Sequence, residues 1–204
     1  MQYSQAVTAS SDVRARGVAY ESTDESLVAA IAKGDKRALQ VLFGRHNVRV
    51  YRFVLRFLND EALAEDMVSE VFLDVWRQAE RFERRSQVST WLMAIARNKA
   101  LSALRRRSTE ELDEEVAEFI EDPSDTPEVS MQKRQQTTVL QECLTQLSAA
   151  HREIVDLVYY HEKTIEEVAE IISVPVNTVK TRMFYARKRI AELMNAKGLD
   201  RAAI

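Results

Sequence analysis

Thr164–Arg189 reads TIEEVAEIISVPVNTVKTRMFYARKR. Thr164 with Glu167 three residues on forms a capping box, which opens a helix through Ile172. Ser173-Val174 makes a turn. Pro175, lacking an N–H, suits the first position of a second helix, expected to run to about Met194. That helix carries Lys180, Arg182, Arg187, Lys188 and Arg189 and no acid before Ile190. A short helix, a tight turn and a longer basic helix, in that order, are what a helix-turn-helix requires. Ala169 is small where the two helices must cross, and Val174 and Val179 are apolar where turn and second helix must plug the core. Asn177, Thr178, Lys180, Thr181, Phe184 and Tyr185 crowd the N-terminal half, the end that enters a major groove. Lys180 and Arg182 can reach phosphates or guanine edges. A plain bundle with a basic last helix leaves the coincidence of cap, turn and cations unexplained.

Upstream, Ile154, Val155, Leu157 and Val158 define one helix, and Val139, Leu140, Leu144 and Leu147 another. Four helices over 131–195 make one small module, with a tail over 196–204. Before it, residues 108–130 hold ten acids, no Lys or Arg, and both Pro123 and Pro127. This stretch reads as an acidic flexible linker. A second module precedes it, over 23–107. There Leu27, Val28 and Ile31 begin a short helix ended near Gly34, and Asp35 caps a long one carrying Leu42, Val50, Phe53 and Val54. Asn59-Asp60 punctuates. Met67, Val68, Val71, Phe72 and Val75 mark a third helix to about Glu80, and Trp91, Leu92, Ile95 and Leu104 a fourth over about 89–107. Residues 1–22 lack periodicity and read as a disordered extension.

Composition agrees. Four glycines and three prolines in 204 residues are too few for the turns of a sandwich or barrel, so the chain reads as all-α, two small helical domains on a tether. One cysteine, Cys143, excludes an internal disulfide and a cysteine-based metal cluster, and its apolar helix face suggests burial. No apolar run approaches the ~20 residues needed to cross a bilayer, so no membrane insertion is expected and the compartment reads as cytoplasmic. The net charge of −3 hides segregation, because residues 77–107 carry nine Lys/Arg against Glu80 and Glu83. Two basic patches around an acidic spacer suit two contacts with one polyanion, or two modules bridged by a solvated tether; charge alone is equally consistent with three solvated helix faces. In the first module Arg84, Arg85, Ser86, Gln87 and Ser89 form a polar loop leading into a basic helix, with Asn98 two turns in. Cations beside hydrogen-bonding groups suit unpaired nucleic acid. Trp91 alone reads as core. Asp66, Ser69, Glu70 and Asp74 border a broad apolar stripe on the third helix, which reads either as a central buried helix or as a helix with an acidic, partner-binding face.

The run AEDMVSEVFLDVWRQAERFERRSQVSTWLMAIARNKALSALRRR, 64–107, resembles region 2 of bacterial extracytoplasmic-function (ECF, group IV) sigma factors. The run LTQLSAAHREIVDLVYYHEKTIEEVAEIISVPVNTVKTRMFYARKRI, 144–190, resembles their region 4. The likeness covers most of 24–195 in the family's order. Departures stand at Ser148 in place of proline, at Glu162-Lys163-Thr164 in place of a Gly-containing segment, and at Ser69 in place of glutamine. The resemblance implies a transcription initiation factor with no enzymatic activity and no cofactor. Asp66, Ser69 and Glu70 would dock on the clamp helices of the largest subunit of core RNA polymerase. Arg84, Ser86, Gln87, Ser89 and Asn98 would capture a flipped base of the −10 element. Asn177, Thr178, Lys180, Thr181, Arg182, Phe184, Tyr185 and Arg187 would face the −35 element. The linker would thread toward the RNA exit channel, and an anti-sigma factor would mask both modules.

Two other classes compete. A stand-alone helix-turn-helix regulator would bind a palindrome as a dimer, but would leave the Arg84–Asn98 cluster and the acidic third helix without a role. An enzyme finds little support in three histidines (His46, His151, His161), no Gly-rich phosphate loop and no nucleophile–base pair. His151 and His161 are expected to be partly exposed.

Overall fold

The computed structural model describes residues 22–110, 140 and 142–197. The expected N-terminal extension up to 21, the linker from 111, and the tail from 198 lie outside the described residues. The helices are α1 (Asp24–Ile31), α2 (Lys36–Leu58), α3 (Glu61–Gln78), α4 (Val88–Glu110), α5 (Ala149–Tyr159), α6 (Ile165–Ile172) and α7 (Val176–Ala196). A 3₁₀ turn, Ala79–Arg81, follows α3, and residues 142–145 are helical ahead of α5. There is no strand among the described residues.

Short polar side chains start most of these helices by supplying acceptors for N–H groups that lack intrahelical partners. Thr23 Oγ1 accepts from Ser26 N at 3.2 Å, and Asp35 Oδ1 from Arg37 N at 2.8 Å and Ala38 N at 3.3 Å. Asp60 Oδ1 accepts from Leu63 N at 3.0 Å, and Ser148 Oγ from His151 N at 3.4 Å. The capping box of α6 forms fully: Thr164 Oγ1 accepts from Glu167 N at 3.2 Å, and Glu167 Oε2 accepts from Thr164 N at 3.0 Å. Pro175 is the residue before α7 rather than its first residue, with ψ 143°.

With few glycines, the chain breaks its helices on other residues. Asn59 (φ 53°) ends α2 and Ser173 (φ 55°) ends α6, both in the left-handed region, where Gly34 (φ 87°) also sits. Arg84 (φ 57°) and Glu162 (φ 53°) adopt the same conformation in loops. For a non-glycine residue this costs roughly 1–2 kcal/mol, so neighbouring contacts must hold these turns.

The first module packs α1 to α4 around Leu42, Phe53, Val54, Val71, Val75, Leu92 and Ala96. The second packs residues 142–145 with α5, α6 and α7 around Cys143, Ile154, Leu157, Ile171, Val179 and Ala186. Burial keeps the Cys143 thiol protonated by raising its pKa. The two modules also touch, with α6 lying along α4, and their buried side chains form a continuous cluster.

The structure corrects several expectations. α3 stops at Gln78 and tightens into the 3₁₀ turn, while α4 runs three residues past Arg107 to Glu110. His161 is buried rather than partly exposed, its ring edge-on to Phe53 with centroids 5.5 Å apart. Contact between the modules covers it, which the sequence of one module does not register.

Leu42 is fully buried and Leu73 is 46% exposed. Leu42→Ala should lower stability by about 2–5 kcal/mol through lost transfer energy and a cavity. Leu73→Ala should change it by only about 0.5 kcal/mol. Chemical denaturation followed by circular dichroism measures both.

Candidate nucleic-acid interface

The helix-turn-helix places one stripe of α7 in solvent and the opposite stripe in the core. Val179, Met183, Ala186 and Ile190 are buried at spacings of three and four. Asn177, Lys180, Thr181, Phe184, Tyr185 and Arg187 are exposed, while Thr178 and Arg182 are half-buried at the flanks. Phe184 is 64% exposed and stands edge-on to Tyr185 at 5.5 Å. Two apolar rings in water among cations suit a surface completed by a partner. Arg187 Nε donates to Tyr159 Oη at 3.1 Å, fixing this guanidinium against α5.

The loop before α4 arranges its groups differently. Arg84 and Gln87 are exposed, Ser86 and Ser89 half-buried, and Asn98 exposed further along the helix. Gln87 O accepts from both Thr90 N and Trp91 N at 3.0 Å, which starts α4. Half-buried Trp91 stacks on Phe82 with centroids 4.9 Å apart, so it anchors the loop. Ser89 is not free: its Oγ accepts from Lys163 Nζ of the second module at 2.7 Å.

On α3, Asp66 and Ser69 are exposed and Glu70 is half-buried. Glu70 is tied down by Lys99, whose Nζ lies 3.1 Å from Glu70 Oε2 and 3.0 Å from Asp74 Oδ2. The bond to Asp74, joined by the one to Glu70, holds the Lys99 ammonium above the usual lysine pKa. Sequence reading missed Leu73. It continues the Asp66–Ser69–Glu70 stripe three residues on and puts an exposed apolar side chain beside the acids. The i, i+3, i+7 spacing was its only signal. Also missed were Thr90 and Lys163, both buried where the modules meet.

A two-module helical chain with a helix-turn-helix in its second module has the architecture of a DNA-binding protein. The sigma-70 region 2 family pattern matches residues 42–110 and the sigma-70 region 4 pattern residues 137–190. The chain is 30% identical over 182 residues to the ECF RNA polymerase sigma-E factor of Haemophilus influenzae, covering 85% of this chain and 96% of that one. It is 29% identical over 179 residues to the RNA polymerase sigma-H factor of Pseudomonas aeruginosa, covering 83% and 93%. The chain belongs to the ECF sigma factors of the sigma-70 family. Its fold is similar to that of CnrH, solved with the cytosolic domain of CnrY (TM-score 0.62, 22% identity, 85% of this chain and 97% of that one). It is also similar to that of the sigma factor RpoE of Bartonella quintana, solved with the anti-sigma factor NepR (TM-score 0.61, 24% identity, 75% and 94%).

Glu167 is the most perturbed carboxylate of the interface. Burial alone would raise its pKa. Hydrogen bonds from Thr90, Lys163 and the Thr164 backbone outweigh that and hold it at about 2, against an ordinary value of 4.5. A depressed folded pKa contributes stability that is fully present above the unfolded value and lost as pH falls through the folded one. Stability should therefore decline between pH 4.5 and about 2 with a component that Glu167→Gln removes. Urea unfolding of both proteins across that window checks it. Parallel pH profiles would deny Glu167 this role.

Proposed function

We propose that this ECF sigma factor directs core RNA polymerase to promoters through its two unlike nucleic-acid surfaces, with Asn177–Arg187 on −35 duplex and Arg84–Asn98 on an unpaired −10 base. Supporting the reading is the difference in chemistry between the two faces. A helix-turn-helix offers a cationic, exposed helix that fits a major groove. A loop of arginine, serine and amide side chains offers partners to a base taken out of its stack. Residues 23–107 and 131–195 act as the two working modules, with the acidic segment 108–130, whose first three residues extend α4, joining them as tether.

Asp66, Ser69 and Glu70, with Leu73, form the face offered to the clamp helices of the largest polymerase subunit. The protein acts without catalysis of its own, alongside the polymerase in the cytoplasm. Among the described residues no helix is long and apolar enough to cross a membrane. CnrH and RpoE were each solved with a partner, for RpoE a named anti-sigma factor. By analogy, an anti-sigma factor controls this chain too. Run-off transcription on genomic fragments, with core polymerase and with or without the protein, tests the whole reading. Transcripts that depend on the protein support it, and their absence with every fragment defeats it.

Asp66 is exposed, whereas Glu70 already answers Lys99, so Asp66→Lys is the cleaner probe of the polymerase face. Reversing a close interfacial charge should cost roughly 2–5 kcal/mol of affinity for core polymerase. Pull-down at unchanged helicity measures it, and wild-type retention would remove α3 from that interface.

The two DNA contacts are separable by salt. Lys180→Ala should lower the salt slope of promoter binding by about one, because one phosphate contact releases about one counterion. Asn98→Ala should leave that slope unchanged and impair transcription from duplex promoters. A normal transcript yield from Asn98→Ala would exclude Asn98 from base capture.

A further inference from the structure

Two aromatic rings that the core does not use stand among the cations of α7. Phe184 and Tyr185 are 64% and 53% exposed, with centroids 5.5 Å apart and ring planes at 75°. Their chain neighbours Met183 and Ala186 are buried, so the rings are not displaced members of the core stripe. Large apolar groups held in water at adjacent positions mark a surface that a partner completes. Rings set at 75° also form a corner, and a group the size of a methyl can touch both.

The surroundings of the rings narrow the chemistry of that partner. From Val176 to Ile190, α7 holds five cations and no acid, which favours a polyanion. Asn177, Thr181, Phe184 and Lys188 are all exposed at spacings of four, three and four, so they line one face, with Tyr185 beside it. From Asn177 to Phe184 that face runs about 10 Å at ~1.5 Å per residue, or about three base-pair steps of ~3.4 Å. Arginine commonly reads guanine by offering its fork to O6 and N7. Here Arg182 is half-buried to one side of the stripe. Arg187, on the other side, gives its Nε to Tyr159 Oη at 3.1 Å, with the guanidinium carbon 5.8 Å from the Tyr159 ring centroid. The stripe itself offers an amide, which suits adenine, and a threonine methyl and a phenyl ring, which suit the thymine methyl.

Building on the promoter-reading function given above, we propose that Phe184 and Tyr185 read the 5-methyl groups of thymines in the −35 duplex. Thymines on either strand then carry the discrimination over the base pairs that the rings touch. The 5-methyl is the one apolar group that a base pair displays in the major groove, and uracil, cytosine and the purines lack it. A methyl that leaves water for contact with an aromatic surface strengthens binding by about fourfold, the transfer value of one buried carbon. Lys180, exposed on the flank of the same face, supplies charge to the phosphates and leaves this preference to the rings.

Deoxyuridine isolates the group concerned, because it pairs as thymidine does and lacks only the 5-methyl. A promoter fragment found by run-off transcription is rebuilt with uracil in place of each −35 thymine in turn, on either strand. Holoenzyme made from core polymerase and the full chain is then titrated with each duplex. At one thymine or more, uracil should weaken binding by about fourfold. Phe184→Ala or Tyr185→Ala should bind the thymine and uracil probes alike at that position, because the partner of the methyl is gone. Lys180→Ala should bind both probes more weakly and keep the fourfold ratio. All three side chains are exposed, so circular dichroism should stay that of the wild type. Wild-type binding indifferent to every uracil overturns the proposal, as does a uracil penalty that survives in both ring variants. Either result leaves promoter reading intact, since the fragment is still bound. If no fragment is bound or transcribed in a protein-dependent way, promoter reading and the methyl contact fall together.

Discussion

Glu167 has to stay ionised for this structure to close. Its carboxylate starts α6 by accepting Thr164 N, neutralises the buried Lys163 ammonium, and receives the Thr90 hydroxyl from the other module. A capping box ordinarily sets one helix terminus. Here the same carboxylate sets the direction of α6, against which α7 packs, and one point of contact with α4. Helix initiation, the angle of the helix-turn-helix and the docking of the modules therefore share one anion. The three donors are what outweigh its desolvation.

The surfaces assigned to nucleic acid are built on opposite physical plans. On α7 the face proposed for duplex is the residue stripe left over once Val179, Met183, Ala186 and Ile190 are buried, so it is set by helical periodicity. The loop before α4 is irregular and held by a strained Arg84, the Phe82–Trp91 stack and the carbonyl of Gln87. A regular helix suits a regular groove. An irregular loop can shape itself to a single base, at the cost of a left-handed residue that its surroundings must hold in place.

Local signals made most of this legible in the sequence. Asp35, Asp60 and Thr164 act as caps where short polar residues precede apolar periodicity, and the buried stripes of α2, α3 and α7 follow spacings of three and four. The exposed positions on α7 were legible for the same reason. What stayed hidden depends on residues far apart in the chain. Lys163 and Ser89 are 74 positions apart and Arg56 and Asp156 are 100 apart, and no periodicity links such pairs. Burial of His161 and loss of a free Ser89 are products of those pairings. The polar outline of α3 drew attention to its acids, and Leu73 among them went unread.

Cys143 is buried, its thiol pKa raised, and no second cysteine exists among the 204 residues. A thiol kept protonated and away from solvent is a poor nucleophile toward peroxides and disulfides. Nor can it close an intramolecular disulfide without a partner sulfur. Oxidative stress therefore finds no pair of cysteines to close within this chain, so a disulfide-based control over it has to draw its second sulfur from another molecule.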